Sequence, residues 1–204
     1  MLRLVKQPLD PASSNYTVPM RVSVSTALRL AKDFQQTGKS KIPVLLLCSA
    51  LFETIGIQLE TYANVQRGSI PNRRRFRPNI LDLECVDKAG RVVLAVEVKD
   101  RALTLADVEG TITKTRNREI QEVFFMAPKV NAADADKINT RLDTAFATGQ
   151  SFYVFDFFGL ARSVLALGGN AMRRLFLQKV GEHLDNWITQ PSHRQAWQRL
   201  LESL

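Results

Sequence analysis

The segment from Ile80 to Asp100 constrains the fold more than any other part of the chain. Two apolar runs flank a short polar turn that ends in Gly90, and this pattern predicts two antiparallel strands joined as a hairpin. Side chains alternate between the faces of a strand, so Glu97 and Lys99 should emerge together. A carboxylate and an ammonium in an otherwise apolar strand are costly unless they are paired or bind a metal ion.

The length of the turn decides whether Asp82 shares a face with Glu97. A turn of two or four residues places Ala95 opposite Asp82, and the two carboxylates are then diagonal neighbours with Cβ atoms about 7 Å apart. A three-residue turn places Val96 opposite Asp82 and sends the carboxylates to different faces, unless a β-bulge resets the pairing. At the shorter separation, both carboxylates can bind one divalent cation.

Size and charge limit the class of protein. The chain has 204 residues, of which 45% are hydrophobic, as is usual for one globular domain. Within a single domain 1–204 we expect an extended lead-in over 1–20, a core over about 43–167 and a helical region over 170–204. No run approaches the roughly 18 apolar residues of a membrane span, so we expect a cytoplasmic protein without membrane association. The net charge of +8 favours a polyanionic partner, most simply nucleic acid.

Helix and strand patterns alternate on both sides of the hairpin. The predicted helices cover 23–36, 43–55 (buried), 104–118 (with Thr104 as N-cap), 131–148 (capped by Asn131), 158–167, 170–187 and 191–204, and the further strands cover 59–66, 122–127 and 151–157. This order predicts an α/β fold, in which a mixed central β-sheet carries helices on both faces.

The hairpin resembles the two-strand motif of the PD-(D/E)XK nuclease superfamily, in which an acid on one strand meets an acid-x-lysine triplet on the next. Here the acid is Asp82 and the triplet is Glu97-Val98-Lys99. From about residue 70 to the C-terminus, the order and spacing of elements are similar to the catalytic domain of SacI-type restriction endonucleases. The resemblance implies a restriction-endonuclease-like core.

The resemblance also implies the chemistry of a metal-dependent hydrolase. Asp82, Glu97 and the backbone carbonyl of Val98 would bind Mg²⁺, for which Mn²⁺ is a substitute. Lys99 would hold the attacking water or help to deprotonate it. Glu53, on the preceding buried helix, would be a further ligand or a group that orients water.

One departure from the superfamily pattern leaves the first acid open. Pro78 is not followed directly by an acid. The next acid is Asp82, and Glu84, on the same face, is an alternative ligand. Without a site, Glu53 would be a solvent-facing residue at a helix edge, and Lys99 would be a charge that protects an edge strand.

Basic side chains around the hairpin predict a surface that binds double-stranded DNA. Each phosphate that they neutralise adds salt-dependent affinity. The residues are Arg73, Arg74, Arg75 and Arg77 in the loop before the hairpin, and Lys114 and Arg116 in the helix after it. The alternative is a solvated charged loop and helix surface.

The leading hypothesis is therefore a Mg²⁺-dependent DNA endonuclease of restriction or phage-defence type. The alternative is a catalytically inactive DNA-binding or assembly module on a nuclease-like fold. Analogy with restriction enzymes favours a two-fold homodimer. Analogy also favours a further N-terminal recognition region or a partner protein that supplies recognition.

Overall fold

A computed structural model of the protein describes residues 16–37, 41–68, 81–186 and 191–204. Within these ranges the helices are α1 (Val24–Gln35), α2 (Ile42–Leu59), α3 (Leu105–Arg116), α4 (Ala135–Ala147), α5 (Phe157–Leu167), α6 (Gly169–Asn186) and α7 (Pro191–Glu202). The strands are β1 (Asn64–Arg67), β2 (Leu83–Val86), β3 (Val92–Val98), β4 (Glu122–Met126) and β5 (Ser151–Phe155). Most of the predicted lead-in lies outside the described residues.

The strands form one mixed sheet in the order β1-β2-β3-β4-β5. β1, β2 and β3 pair antiparallel. β3, β4 and β5 pair parallel, because α3 and α4 return the chain to the same end of the sheet before β4 and β5. The predicted α/β class, with a mixed central sheet and helices on both faces, is confirmed.

The alternation of side chains along β3 divides the core into two layers. Ala95 packs with Val108 of α3 and Phe125 of β4 on one face. Val96 and Val98 pack on the other face, in a larger cluster that includes residues of α1, α2, α5, α6 and α7. Glu97 has the parity of Ala95, so it emerges on the face that α3 covers.

The buried helix predicted over 43–55 is α2, which packs along α6. Its 18 residues are apolar enough to cross a membrane by length and composition alone, but 61% of them are buried inside the protein. Such burial is expected of a helix that is hydrophobic on all sides and lies at the centre of a domain. α2 is therefore explained as the core helix behind the sheet.

Two predicted boundaries are wrong. The strand predicted over 59–66 begins late, because α2 continues further and ends at Glu60 in the left-handed conformation with φ 52°. The helix predicted from Asn131 is α4, whose N-cap is Asp134. Asn131 forms a turn instead: its side-chain oxygen accepts a hydrogen bond from the backbone N–H of Ala133 at 3.0 Å, a local bond that asparagine often makes.

The two C-terminal helices belong to the larger core cluster. Phe176 of α6 and Trp197 of α7 are fully buried. The Trp197 ring packs edge-on against Phe34 of α1, with ring centroids 5.4 Å apart. The described part of the region 170–204 is thus largely helical and is packed onto the face of the sheet that carries α2.

Candidate active site

A β-bulge sets the register of the hairpin. Val86 pairs with Val92, whereas Glu84 pairs with Ala95, and the register shifts between these pairs. The predicted pairing of Asp82 with Ala95 is therefore wrong by two residues. The loop between Val86 and Val92 has an odd number of residues, which alone would place Asp82 and Glu97 on opposite faces of the sheet. The extra residue of the bulge places both side chains on the same face.

Asp82 lies at the carboxyl end of β3. The ladder between β2 and β3, extended by one pair, puts Asp82 opposite Glu97. Asp82 occupies a bend just before β2. Its Oδ2 accepts hydrogen bonds from the backbone N–H of Val98 at 2.7 Å and from Nζ of Lys41 at 2.6 Å. The Asp82 side chain thus accepts a hydrogen bond from a backbone N–H of β3 just beyond the last backbone pair between β2 and β3.

Glu97 and the Val98 carbonyl supply further oxygen atoms at this end of β3. The N–H and C=O of a strand residue point to the same side, so the Val98 carbonyl points towards the side on which Asp82 lies. Glu97 is nearly buried, and its Oε1 accepts a hydrogen bond from Nζ of Lys99 at 2.8 Å. Among the described residues, Oδ1 of Asp82 and Oε2 of Glu97 have no hydrogen-bond partner.

These oxygen atoms have the chemistry that a Mg²⁺ site requires. Mg²⁺ prefers hard oxygen ligands and is usually bound by one or two carboxylates while it keeps several waters. The described ranges contain no group of three or more His, Cys, Asp and Glu side chains that could hold a metal. The carboxylates of Asp82 and Glu97 and the Val98 carbonyl would be too few to surround Mg²⁺, so water or phosphate oxygens would complete its ligands.

Lys99 connects Glu97 to the beginning of α3. Its Nζ lies 3.2 Å from Oδ1 of Asp107. Asp107 and Thr104 form a capping box, in which each side chain accepts a hydrogen bond from the backbone N–H of the other residue, at 3.1 and 3.3 Å. The guanidinium of Arg101 donates two hydrogen bonds to the same carboxylate, at 2.8 and 2.9 Å.

The charges in this cluster support one another. Burial lowers the pKa of Lys99, but the hydrogen bonds and negative charges of Glu97 and Asp107 outweigh it, and the net pKa of Lys99 is raised. Burial raises the pKa of Asp107, but hydrogen bonds from Arg101, Thr104 and Lys99 bring it well below its usual range. At neutral pH Lys99 is therefore a cationic hydrogen-bond donor, and Asp107 is ionised.

Glu84 lies further along β2, away from this cluster. Only 2% of it is exposed, and its Oε1 accepts a hydrogen bond from Nη1 of Arg118 at 2.8 Å. A buried carboxylate paired with a guanidinium is explained as a structural ion pair. Of the two acids that the sequence left open, Asp82 is the one that contacts the end of β3.

Glu53 lies further along α2 than Lys41 and contacts α6. It follows Lys41 by twelve residues, which corresponds to about 18 Å along a helix. Its carboxylate faces α6, 3.7 Å from Nζ of Lys179 and 3.4 Å from Nε2 of His183. Among the described residues no hydrogen bond or ion pair joins Glu53 to Asp82, so its role as a further ligand or water-orienting group stays a prediction.

Glu53, Lys179 and His183 line a cavity of about 840 Å³ between α2, α6 and β1. Burial, followed by the positive charges of Arg67 and Lys179, lowers the pKa of His183 to about 3. Burial raises the pKa of Glu53, although the charge of Lys179 opposes that effect. His183 is therefore neutral at physiological pH.

The predicted DNA-binding residues are divided. Lys114 and Arg116 are exposed at the carboxyl end of α3, whereas Asp107 lies at its amino end, about 10 Å or more away along the helix. The structure therefore does not bring them to Lys99. The predicted loop residues Arg73, Arg74, Arg75 and Arg77 lie outside the described residues.

Residues 41–128 match the family model of the SacI restriction endonuclease C-terminal domain. This match, which covers less than half of the chain, supports similarity to the SacI-type restriction endonuclease family. The predicted resemblance to SacI-type restriction endonucleases is confirmed, although the matched range begins and ends earlier than the expected one, which ran from about residue 70 to the C-terminus. The mixed sheet flanked by helices is consistent with a restriction-endonuclease-like fold. A comparison with curated proteins gives no significant match.

Three side chains in the SacI-type segment were missed as candidate site residues. Lys41 pairs with Asp82, while Arg101 and Asp107 surround Lys99. The Thr104-x-x-Asp107 spacing is a visible capping signal, but it indicates a helix start and not a contact with Lys99. No local pattern connects Lys41 with Asp82, because 41 positions separate them in sequence.

Proposed function

We propose that the protein is a Mg²⁺-dependent endonuclease of restriction type that hydrolyses phosphodiester bonds of double-stranded DNA in the cytoplasm. The supporting observation is the cluster at the carboxyl end of β3. Asp82 contacts Val98, and Glu97 contacts Lys99. All four residues lie within the segment that matches a restriction-endonuclease domain.

Each residue of the cluster has a role in this proposal. Asp82, Glu97 and the Val98 carbonyl would hold the cation. Mg²⁺, when bound, would polarise the scissile phosphate and acidify a water molecule. Lys99 would donate a hydrogen bond to the attacking water or to a phosphate oxygen and would offset negative charge that develops there.

The substrate follows from charge and from family. The net charge of +8 favours a polyanion, and the matched domain is that of a DNA-cleaving enzyme. Phage defence is the proposed biological setting. Homodimer formation and a separate recognition region or partner protein remain part of the proposal by analogy with restriction enzymes.

The decisive experiment is cleavage of supercoiled plasmid DNA with Mg²⁺, compared with EDTA. Wild-type protein should nick or linearise the plasmid only with Mg²⁺. Asp82→Ala and Lys99→Ala should each lower the rate by at least about a hundredfold, because charge stabilisation of this kind contributes 10²–10³ in rate. Lys137→Ala is the matched control, because it removes an exposed lysine from α4. Equal cleavage by the wild type and both variants would refute the assignment.

A second candidate is a DNA-binding module without catalysis. The observation that favours it is that both carboxylates are already paired with lysines, Asp82 with Lys41 and Glu97 with Lys99. A cation would have to compete with these ammonium groups. DNA binding by the wild type, without cleavage under any divalent cation, would support this candidate over the nuclease.

A further inference from the structure

Arg101 stands beside the candidate active site with part of its hydrogen-bonding capacity unused. It follows Lys99 by two residues, just beyond the carboxyl end of β3. Its side chain is 56% exposed, in contrast to the 18% of Lys99. Arg101 therefore offers a cationic group to solvent directly next to the cluster.

The guanidinium of Arg101 is held at one end. Nη1 donates to Oδ2 of Asp107 at 2.8 Å and to the carbonyl of Ala102 at 3.1 Å, and Nη2 donates to Oδ1 of Asp107 at 2.9 Å. Along the other edge of the plane, the Nε–H and the second N–H of Nη2 have no acceptor among the described residues. Two parallel N–H groups match two oxygens of a phosphate.

Asp107 also fixes the orientation of the Nε–Nη2 edge of Arg101. Its Oδ1 contacts both Nη2 of Arg101, at 2.9 Å, and Nζ of Lys99, at 3.2 Å. The two cations are thus held by a single carboxylate. The capping box in turn fixes Asp107 to the first turn of α3, so the guanidinium is oriented before any ligand arrives and loses less conformational freedom on binding.

We propose that Arg101 binds a phosphate of the DNA backbone next to the scissile one, through its Nε–Nη2 edge. The inference rests on the proposed function, since it takes the nucleic acid as the ligand. DNA binding can nevertheless be measured without cleavage, so the two proposals are open to separate tests.

The experiment is fluorescence anisotropy with a labelled mixed-sequence DNA duplex in EDTA, over a series of KCl concentrations. Non-specific binding is electrostatic, so no recognition sequence is needed. Arg101→Gln is compared with Arg91→Gln. Arg91 is likewise exposed and paired with an aspartate, Asp87, at 2.8 Å, but it lies at the opposite end of β3, about 20 Å away.

Loss of one phosphate contact should reduce the slope of log K against log salt by about 0.9. Arg101→Gln should show this change and bind roughly five- to tenfold more weakly near 0.1 M KCl, while Arg91→Gln keeps the wild-type slope. Arg101→Lys should keep the slope and bind more weakly, because it retains the charge and loses the fork. Equal slopes for wild type, Arg101→Gln and Arg91→Gln would overturn the inference, as would equal losses in both glutamine variants.

Plasmid cleavage with Mg²⁺ on the same preparations separates the two proposals. A wild type that binds DNA without cutting it contradicts the nuclease function, and the Arg101→Gln slope still decides the inference about Arg101. A wild type that cuts DNA, together with an unchanged slope for Arg101→Gln, contradicts the inference alone.

Discussion

The ion pair between Arg118 and Glu84 allows a direct test of how burial decides the strength of a charge pair. Arg118→Met removes the guanidinium and keeps most of the apolar stem. Arg141→Met is the matched control, because Arg141 Nε lies 2.8 Å from Glu109 Oε1, the same distance that separates Arg118 Nη1 from Glu84 Oε1. The acids differ in burial: the Glu84 side chain is 2% exposed and that of Glu109 is 49% exposed.

The magnitudes follow from that difference. Removing one partner of a buried pair costs about 3–5 kcal/mol, because the charge that stays buried loses the partner that compensated it. Arg118 itself is 38% exposed, so we expect the lower end, about 3 kcal/mol. In a chain of this size that corresponds to a fall in Tm of roughly 6–12 °C. Arg141→Met should cost about 1 kcal/mol or less, because its partner is screened by solvent.

Thermal and urea unfolding of the two variants provide the measurement. The double variant Arg118→Met with Glu84→Gln should recover part of the lost stability, since the buried carboxylate charge that lost Arg118 is then removed. Equal destabilisation by Arg118→Met and Arg141→Met would refute the reasoning.

Two further predictions concern acids and bases outside the cluster. At a temperature well below melting, Glu84→Gln and Glu53→Gln should each keep plasmid cleavage within about threefold of wild type, while Asp82→Asn abolishes it. Loss of cleavage in Glu53→Gln would instead place Glu53 in the active site. Because the pKa of His183 is lowered to about 3 in the folded state, the unfolded state binds a proton first as pH falls below about 6.5, and stability should fall with it. Between about pH 6.5 and 5 the loss from His183 is at most about 2 kcal/mol, so urea unfolding should show a shallower pH dependence in His183→Gln than in wild type. The raised pKa of Glu53 acts in the opposite sense in both proteins. An identical pH dependence in wild type and His183→Gln would contradict the assignment to His183.

The fold was predictable from sequence wherever a local pattern determines the structure. Alternation along β3, the apolar composition of α2 and the Thr104 cap each depend on neighbours in sequence, and each prediction is confirmed. The start of α4 was wrong, because Asn131 and Asp134 are both suitable caps and only the turn at Asn131 distinguishes them. Local chemistry permits both starts.

The site was predictable only in part, for a related reason. The pairing of Glu97 with Lys99 follows from strand parity and is observed. The predicted register was wrong, because a bulge inserts its extra residue without a sequence signal as clear as that of a turn. Glu53 was assigned to the site through the family resemblance, and its carboxylate contacts Lys179 and His183 of α6. Which neighbours a helix residue contacts depends on how the helix lies along the sheet, which no local pattern specifies.

The pairing of each carboxylate with a lysine explains how the cluster can exist in a folded protein. Two largely buried carboxylates at the carboxyl end of β3 would repel each other. Lys41 balances Asp82 from the α2 side, and Lys99 balances Glu97 while it also contacts Asp107 from α3. The segment that matches the SacI-type domain begins at Lys41 and includes both helices. It therefore contains the compensating lysines as well as the acids, as is expected if the acids and the lysines that balance them form one structural unit.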